Sequence, residues 1–362
     1  MKRLSNARRQ WLDNALTYGI VAIGYGILQL LRSGGVLSSA LQGMLVPICA
    51  YAVMAVSLNL VVGISGELSL GHAGFMSVGA FTGIITAACL QNTVGSAGLR
   101  LLIAMVVGAV FAGLVGVLVG VPVLRLRGDY LAIVTLAFGE IIKNIINCLY
   151  VGIDASGLHI SLKNEAALGL AEGGRTLIKG PMGATGITKL SGFTAGILLL
   201  LVTLVIALNL IHSRSGRAIM ALRDNRIAGE SVGLNVTKYK LMAFVISAVL
   251  AGAAGALYAL NYSSVAAKKF DFNTSILVLV FVVLGGMGNV RGSVIAAVVL
   301  TVLPELLRSV QDYRMLAYAV ILILVMLVTN SAGARQTLEV LRSRARRILW
   351  KHRTHQEREA EK

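Results

Sequence analysis

Apolar runs of about 20 residues recur along this chain, and they restrict its possible folds more than any other feature. A membrane-spanning helix needs roughly 20 mainly apolar residues to cross about 30 Å of hydrocarbon. The candidate runs are 15–31, 38–62, 66–91, 99–124, 129–150, 192–212, 241–262, 274–288, 292–307 and 315–330. The run at 66–91 has a polar, Gly-rich start, and Gly-Gly interrupts 274–307, so both regions predict broken or re-entrant segments. We therefore predict an all-α integral membrane protein, a polytopic bundle of about 8–10 transmembrane helices.

The composition agrees with lipid as the solvent. Charged residues make up 14% of the chain, whereas a soluble domain carries about 25%. The 40 glycines favour the same conclusion, because small residues let membrane helices pack closely. Cys49, Cys89 and Cys148 lie apart in apolar segments, so they predict neither a disulfide framework nor a metal site.

The formal charge of +17 is distributed in a way that argues against nucleic-acid binding. Lysine and arginine lie at the ends of the apolar runs rather than along one stripe. If the N-terminus is cytoplasmic and all the runs cross, the inside regions hold 22 of these cations and the outside regions hold 10. The positive-inside rule therefore predicts that both termini are cytoplasmic.

This orientation divides the chain into three regions. Residues 1–14 form a basic cytoplasmic arm, residues 15–330 form the transmembrane domain, and residues 331–362 form a basic cytoplasmic tail near anionic membrane lipid. Two long loops interrupt the transmembrane domain. Residues 151–191 form an extracytoplasmic loop with several glycines, and residues 213–240 form a cytoplasmic loop.

The cytoplasmic loop contains an amphipathic pattern. Apolar Ala218, Ile219 and Leu222 alternate with arginines at a spacing that predicts a short helix. Residues 228–232 extend the pattern before Gly233, a residue type that commonly ends a helix. A helix with one apolar face and a basic edge suits docking against another protein, and it equally suits the lipid surface.

A Gly-rich segment places polar residues at membrane depth. Asn59, Glu67, Ser69 and His72 lie in or beside an apolar run, where such groups are costly and usually face a cavity, a pathway or a partner. Gly63, Gly66, Gly71 and Gly74 permit a helix break whose freed backbone groups line a cavity. Alternatively, Glu67 and His72 lie in a short exposed turn. Gly79-x-x-x-Gly83 further on predicts close helix packing.

Glu140 and Lys143 lie three residues apart in one span, so they can pair on one helix face. Such a pair either neutralises buried charge and fixes helix packing, or places Glu140 on a translocation path. His72 has no partner histidine nearby in sequence, which makes metal ligation improbable. The residues that we expect along a path are Asn59, Gly66, Glu67, Ser69, His72 and Glu140.

Four ordered blocks resemble one known family. The segment Ser57–Phe81, which contains Ser-Leu-Asn-Leu and Ser-Leu-Gly-His-Ala-Gly-Phe, resembles the signature of branched-chain amino acid ABC transporter permeases of the LivM type. Blocks beginning at Arg127, Tyr239 and Leu284 are similar to that family's further segments, in the same order. Together the blocks extend over most of the chain from about 50 to 330.

The resemblance implies a function and a set of partners. Members of the family work in the bacterial plasma membrane as one of two non-identical permeases, with two ABC ATPase subunits and an extracytoplasmic solute-binding protein. It implies import of leucine, isoleucine or valine, with urea, amides or other small solutes as the alternative. The chain has no GxxxxGK[ST] motif, so no cofactor is expected on it and ATP is bound by partner subunits.

The resemblance also assigns coupling to the ATPase to the cytoplasmic loop. Ile227-Ala-Gly-Glu-Ser-Val-Gly233 is similar to a motif written E-A-A-x-x-x-G, although Ile227 replaces the glutamate and Gly229 the second alanine. The implied coupling residues are Gly216, Arg217, Ala221, Arg223, Arg226, Ala228, Gly229, Glu230 and Gly233.

Two other classes of protein fit less well. A stand-alone secondary transporter or channel has no need of an amphipathic cytoplasmic loop. A membrane-embedded enzyme needs paired carboxylates or histidine clusters near an interface, and the sequence contains neither.

Overall fold

The structure is a computed structural model that describes residues 2–35, 38–125, 129–154, 157–171 and 173–307, with isolated positions near 320. The chain divides into two compact units, Met1–Val302 and Leu303–Lys362. Nearly all of the second unit falls outside the described residues. The predicted span at 315–330 and the predicted tail at 331–362 therefore cannot be compared with the structure.

Helices dominate the described residues, and the all-α class predicted from the sequence is confirmed. The helices are α1 (Lys2–Ser33), α2 (Ser39–Asn59), α3 (His72–Cys89), α4 (Ala97–Val123), α5 (Asp129–Asn147), α6 (Phe193–His212), α7 (Arg214–Asp224), α8 (Arg226–Ser231), α9 (Val236–Ala259), α10 (Phe272–Gly285) and α11 (Val290–Leu306).

Six helical segments in the described residues are long and apolar enough to cross a membrane. They are Ser39–Ser65, His72–Cys89, Ala97–Val123, Tyr130–Asn147, Phe193–His212 and Val236–Ala259. Each coincides with one of the predicted runs. The run predicted at 274–288 corresponds to α10, whose 14 residues extend about 21 Å. Because that length is less than the hydrocarbon thickness of about 30 Å, α10 does not cross a membrane by itself.

The core of the bundle forms where α9 packs against α3 and α4, at small residues. A Cβ added at Gly79 would lie 2.0 Å from the carbonyl oxygen of Gly252 on α9. A Cβ added at Gly255 would lie 1.9 Å from the carbonyl oxygen of Met76 on α3. The close packing predicted from the Gly79–Gly83 spacing is therefore confirmed, and it is α9 that supplies the partner surface.

A small antiparallel sheet was not foreseen in the loop predicted at 151–191. Its strands are β1 (Tyr150–Asp154), β2 (Gly157–Ser161), β3 (Arg175–Lys179), β4 (Ala184–Thr185) and β5 (Ser264–Val265), in the order β2-β1-β3-β4-β5. Val151 pairs with Ile178 on β3, where both side chains are buried, and with Ile160 on β2, whose side chain is 62% exposed. Residues 157–179 of that loop supply β2 and β3.

Candidate functional site

The predicted helix break is present between α2 and α3. After Asn59 the chain forms a π-helix over Leu60–Ser65, and residues 66–71 are not helical before α3 begins at His72. Gly66 ends the π-helix with φ +74°, a conformation that residues with a Cβ rarely adopt. We call residues 60–71 the break segment. π-helical turns of this kind are frequent at functional sites.

Asn59 joins the start of the break segment to the turn between α10 and α11. Its side chain is fully buried, its Oδ1 accepts a hydrogen bond of 2.8 Å from the Gly288 amide, and its Nδ2 donates to Ser293 Oγ at 3.1 Å. Gly288 has φ +82°. A Cβ at Gly63 would lie 2.2 Å from the Gly288 nitrogen, so the two segments are in direct contact. The Asn59 side chain therefore connects the helix break after α2 to the turn between α10 and α11.

Arg223 joins the break segment to α7. Its Nη1 donates to the carbonyl oxygen of Gly63 at 2.8 Å, while Nε and Nη2 donate to Asp224 Oδ1 at 3.0 and 2.9 Å. The last carbonyls of a helical segment lack a partner within the helix, and Gly63 is one of these. A Cβ at Gly66 would lie 2.5 Å from Arg223 Cγ, so the arginine stem packs directly on the backbone of the break segment.

Glu67 joins the break segment to α9 through an ion pair with Lys240. The two side chains are only 14% and 11% exposed, so the pair is largely removed from solvent. A charge at such a site is retained only if it is paired. Glu67 is therefore not in the exposed turn that the sequence left open.

His72 begins α3 and is 1% exposed, so it does not lie in an exposed turn either. Its Nε2 lies 2.8 Å from Ser57 Oγ, and the Ser57 hydroxyl donates to the carbonyl oxygen of Met54 at 2.8 Å. Because a hydroxyl has one hydrogen, the imidazole donates to Ser57 through Nε2. The Ser57 carbonyl in turn accepts from Ser247 of α9 at 2.5 Å. His72 thus belongs to a buried network that ties α2, α3 and α9 together.

Ser69 and Glu140 lie apart from these contacts. The Ser69 hydroxyl is buried and forms no hydrogen bond with a described protein group. Glu140 pairs with Lys143 on the same helix, as their spacing predicted. Glu140 also lines a narrow pocket between α3, α5 and the start of α10, together with Gly74, Asp271 and Ser275.

The predicted amphipathic helix is present as two helices. In α7 the apolar residues Ala218, Ile219 and Leu222 are buried, and α7 contacts α6, α9 and the break segment. Ser213 caps α7 by accepting a hydrogen bond of 3.0 Å from the Gly216 amide. The apolar face of α7 therefore packs on its own bundle and is not available to lipid or to another protein.

The second helix, α8, presents a different surface. Asn225 caps it by accepting from the Ala228 amide at 3.0 Å, and Gly233 follows it with φ +82°. Ile227 and Val232 are 80% and 74% exposed. The sequence did not identify these two residues as docking candidates, because Ile227 is notable there only for replacing the glutamate of the E-A-A-x-x-x-G motif. Exposed apolar side chains beside charged ones are typical of a protein interface.

The other predicted coupling residues divide between packing and surface positions. Gly216 and Gly229 are buried, and a Cβ at Gly216 would lie 2.0 Å from the Leu210 carbonyl oxygen. Arg217 Nη1 donates to the His212 carbonyl oxygen at 2.9 Å. Arg226 pairs with Glu230 at 2.9 Å. The small residues Ala221 and Ala228 are exposed.

These features define a multi-pass membrane protein whose spans are interrupted by breaks and whose α6–α9 connection folds into two short helices. Residues 40–329 match the family model described as branched-chain amino acid transport system / permease component. The chain therefore belongs to this family of permeases, as the four sequence blocks had indicated.

Individual relatives agree with the family. The chain is 37% identical over 290 residues to the high-affinity branched-chain amino acid transport system permease protein LivM of Escherichia coli K12, covering 76% of this chain and 66% of that protein. It is 23% identical over 294 residues to a probable LivM of Methanocaldococcus jannaschii, covering 73% and 80%. It is also 27% identical over 290 residues to the ribose import permease protein RbsC of Escherichia coli K12, covering 77% and 82%. No solved structure matches the chain.

Proposed function

We propose that this chain is the permease subunit of an ATP-driven importer that moves leucine, isoleucine or valine across the bacterial plasma membrane. The observation that carries the proposal is the 37% identity to LivM over 290 residues, together with the family match over residues 40–329. The matched range includes the break segment, α7 and α8, so it extends over the parts with the most specific geometry.

The energy comes from partner subunits in this proposal. The chain carries no phosphate-binding loop motif, and the proposal therefore assigns no ATPase activity to it. Two ATPase subunits bind ATP, and at least one of them docks at α8, where Ile227 and Val232 are exposed. A second, non-identical permease completes the membrane channel, and a solute-binding protein delivers the amino acid.

The orientation follows from the charge bias. We place α7, α8 and both termini in the cytoplasm, where the positive-inside rule puts the basic segments. Helix α9 begins after α8 and ends just before β5, so the five-stranded sheet lies at the other end of the bundle. The sheet is then extracytoplasmic and offers the surface on which a solute-binding protein docks.

Reconstitution tests this function. The chain is purified with a candidate second permease and ATPases, placed in proteoliposomes, and supplied with a candidate binding protein and labelled leucine. We expect leucine uptake that requires ATP inside the vesicles or on the ATPase side. Uptake of leucine without ATP would contradict the proposal, because it would make the chain a secondary transporter or channel. ATP-driven uptake of urea or amides with no uptake of leucine would contradict the solute.

A further inference from the structure

Three elements that are distant in sequence bind the break segment or Asn59, the residue just before it. Arg223 of α7 donates to Gly63, Lys240 of α9 pairs with Glu67, and the turn between α10 and α11 donates to Asn59 through Gly288. Arg223 is separated from Gly63 by 160 residues and Gly288 from Asn59 by 229. The break segment is therefore a junction at which α2, α7, α9 and the α10–α11 turn meet.

The hydrogen bond from Arg223 differs in location from the Lys240–Glu67 pair and the Gly288–Asn59 bond. Its donor lies on α7, in the connection between α6 and α9. A hydrogen bond from a charged donor is roughly twice as strong as a neutral one. Asp224 holds the guanidinium in place through two further donors, Nε and Nη2. The remaining donor, Nη1, is directed at the Gly63 carbonyl oxygen.

The groups at this junction are also closely packed. A Cβ at Gly66 would lie 2.5 Å from Arg223 Cγ, and a Cβ at Gly63 would lie 1.9 Å from Asn59 Oδ1. Because closely packed groups transmit displacement rather than absorb it, α7 cannot shift toward or along the break segment without moving it. The Asn59 side chain then carries that movement to the α10–α11 turn.

We propose that Arg223 is the positioning residue that transmits movement of α7 to the break segment, and that Asn59 passes it to the turn between α10 and α11. The inference rests on the proposed function, since ATPase subunits must act on α8 to move α7. It assigns to Arg223 a role inside the permease, toward Gly63, which differs from contacting the ATPase.

The first experiment compares Arg223→Met with Lys238→Met in the reconstituted complex. Lys238 is an exposed cation at the start of α9 and serves as the matched loss of one charge on the same side. We measure ATPase bound per permease, ATP hydrolysis, and leucine moved per ATP. For Arg223→Met we expect normal ATPase binding and hydrolysis but about a tenfold loss of leucine moved per ATP, the size of one charged hydrogen bond. Lys238→Met is expected to match the wild type.

Two outcomes of that comparison would overturn the inference. Unchanged leucine moved per ATP would show that the bond to Gly63 transmits nothing. Loss of bound ATPase would show that Arg223 is a docking residue. A wild-type complex without ATP-dependent uptake would instead overturn the proposed function, so the two failures are distinguishable.

A second variant tests the route beyond Arg223. Asn59 is fully buried and cannot touch an ATPase, yet Asn59→Ala is expected to produce the same loss of leucine moved per ATP. Because both residues act on one route, the double variant should lose little more than either single variant. Losses that multiply in the double variant would mean independent effects and would overturn the inference.

The Arg223→Lys variant distinguishes a coupling defect from a general folding defect. Lysine keeps a charged donor within reach of Gly63 but cannot hold the forked contact with Asp224, so we expect intermediate coupling. Thermal unfolding midpoints are recorded for all variants in the same detergent. A coupling loss that follows the unfolding midpoint across the series, rather than the presence of the donor, would overturn the inference.

Discussion

At the residue scale, polar groups at membrane depth are the most constrained features of this protein. Asn59, Glu67 and His72 each have a partner from another element, and these partners are Gly288, Lys240 and Ser57. A buried polar group that loses its partner costs about 1–3 kcal/mol, and a charged group costs more. These three side chains therefore connect neighbouring elements of the bundle.

The Glu67–Lys240 pair gives a prediction at this scale. Glu67→Gln leaves the Lys240 ammonium largely buried without a counter-charge, and we expect a loss of about 3–5 kcal/mol in the free energy of unfolding. Replacing both residues by methionine removes both charges and should recover most of that loss. Chemical unfolding in detergent measures the three free energies. A double variant as unstable as Glu67→Gln would contradict the prediction.

At the element scale, the backbones of α3 and α9 approach each other closely at a glycine. Gly255→Ala would place a Cβ 1.9 Å from the backbone oxygen of Met76, which cannot rotate away as a side chain can. We expect the helices to separate and the free energy of unfolding to fall by about 1–3 kcal/mol.

A matched control is available on α1. Gly24 is also within a helix, but an added Cβ there would meet nothing within 4 Å. Gly24→Ala should therefore leave stability unchanged or raise it slightly, because alanine favours helix over glycine. Thermal unfolding midpoints decide the comparison, and equal effects of the two alanines would show that the α3–α9 contact tolerates an added methyl group.

The exposed residues of α8 give a second prediction for an element. Ile227→Asp changes a side chain that is 80% exposed, so the fold should be unaffected while ATPase binding falls at least tenfold through loss of apolar contact. Thr237→Asp adds the same charge on an exposed position of α9 and should leave binding unchanged. Co-purification of the ATPase at several concentrations measures the effect. Equal binding by both variants would show that α8 does not dock the ATPase.

At the scale of the whole molecule, the membrane orientation is the property to test. After Cys49, Cys89 and Cys148 are replaced by serine, one cysteine is introduced either at exposed Lys163 beside the sheet or at exposed Lys238 beside α8. We expect an impermeant maleimide added to intact cells with a permeable outer membrane to label Lys163→Cys but not Lys238→Cys. Labelling in the opposite order would invert the proposed orientation.

The sequence predicted the helices well because apolar length is a local property. The helix break was similarly visible as glycines beside polar residues, although the predicted span at 66–91 begins six residues before α3. What it did not predict are the contacts across long separations, such as Arg223 to Gly63, because no local pattern specifies which distant carbonyl a guanidinium meets. The sheet was missed because β1, β2 and β3 have five residues each and β4 and β5 only two, too short for alternation to stand out.

That sheet has a mechanical consequence for the bundle. Strand β1 follows α5, β4 precedes α6, and β5 lies between α9 and α10. The hydrogen bonds of the sheet therefore connect chain segments next to the ends of α5, α6, α9 and α10. Helix α9 has 24 residues and extends about 36 Å from the sheet, so a tilt of about 6° at the sheet would displace its far end by about 4 Å. Lys240 lies about 28 Å from the sheet end of α9, so the same tilt would displace it by about 3 Å, a distance comparable to the hydrogen bonds that hold the break segment.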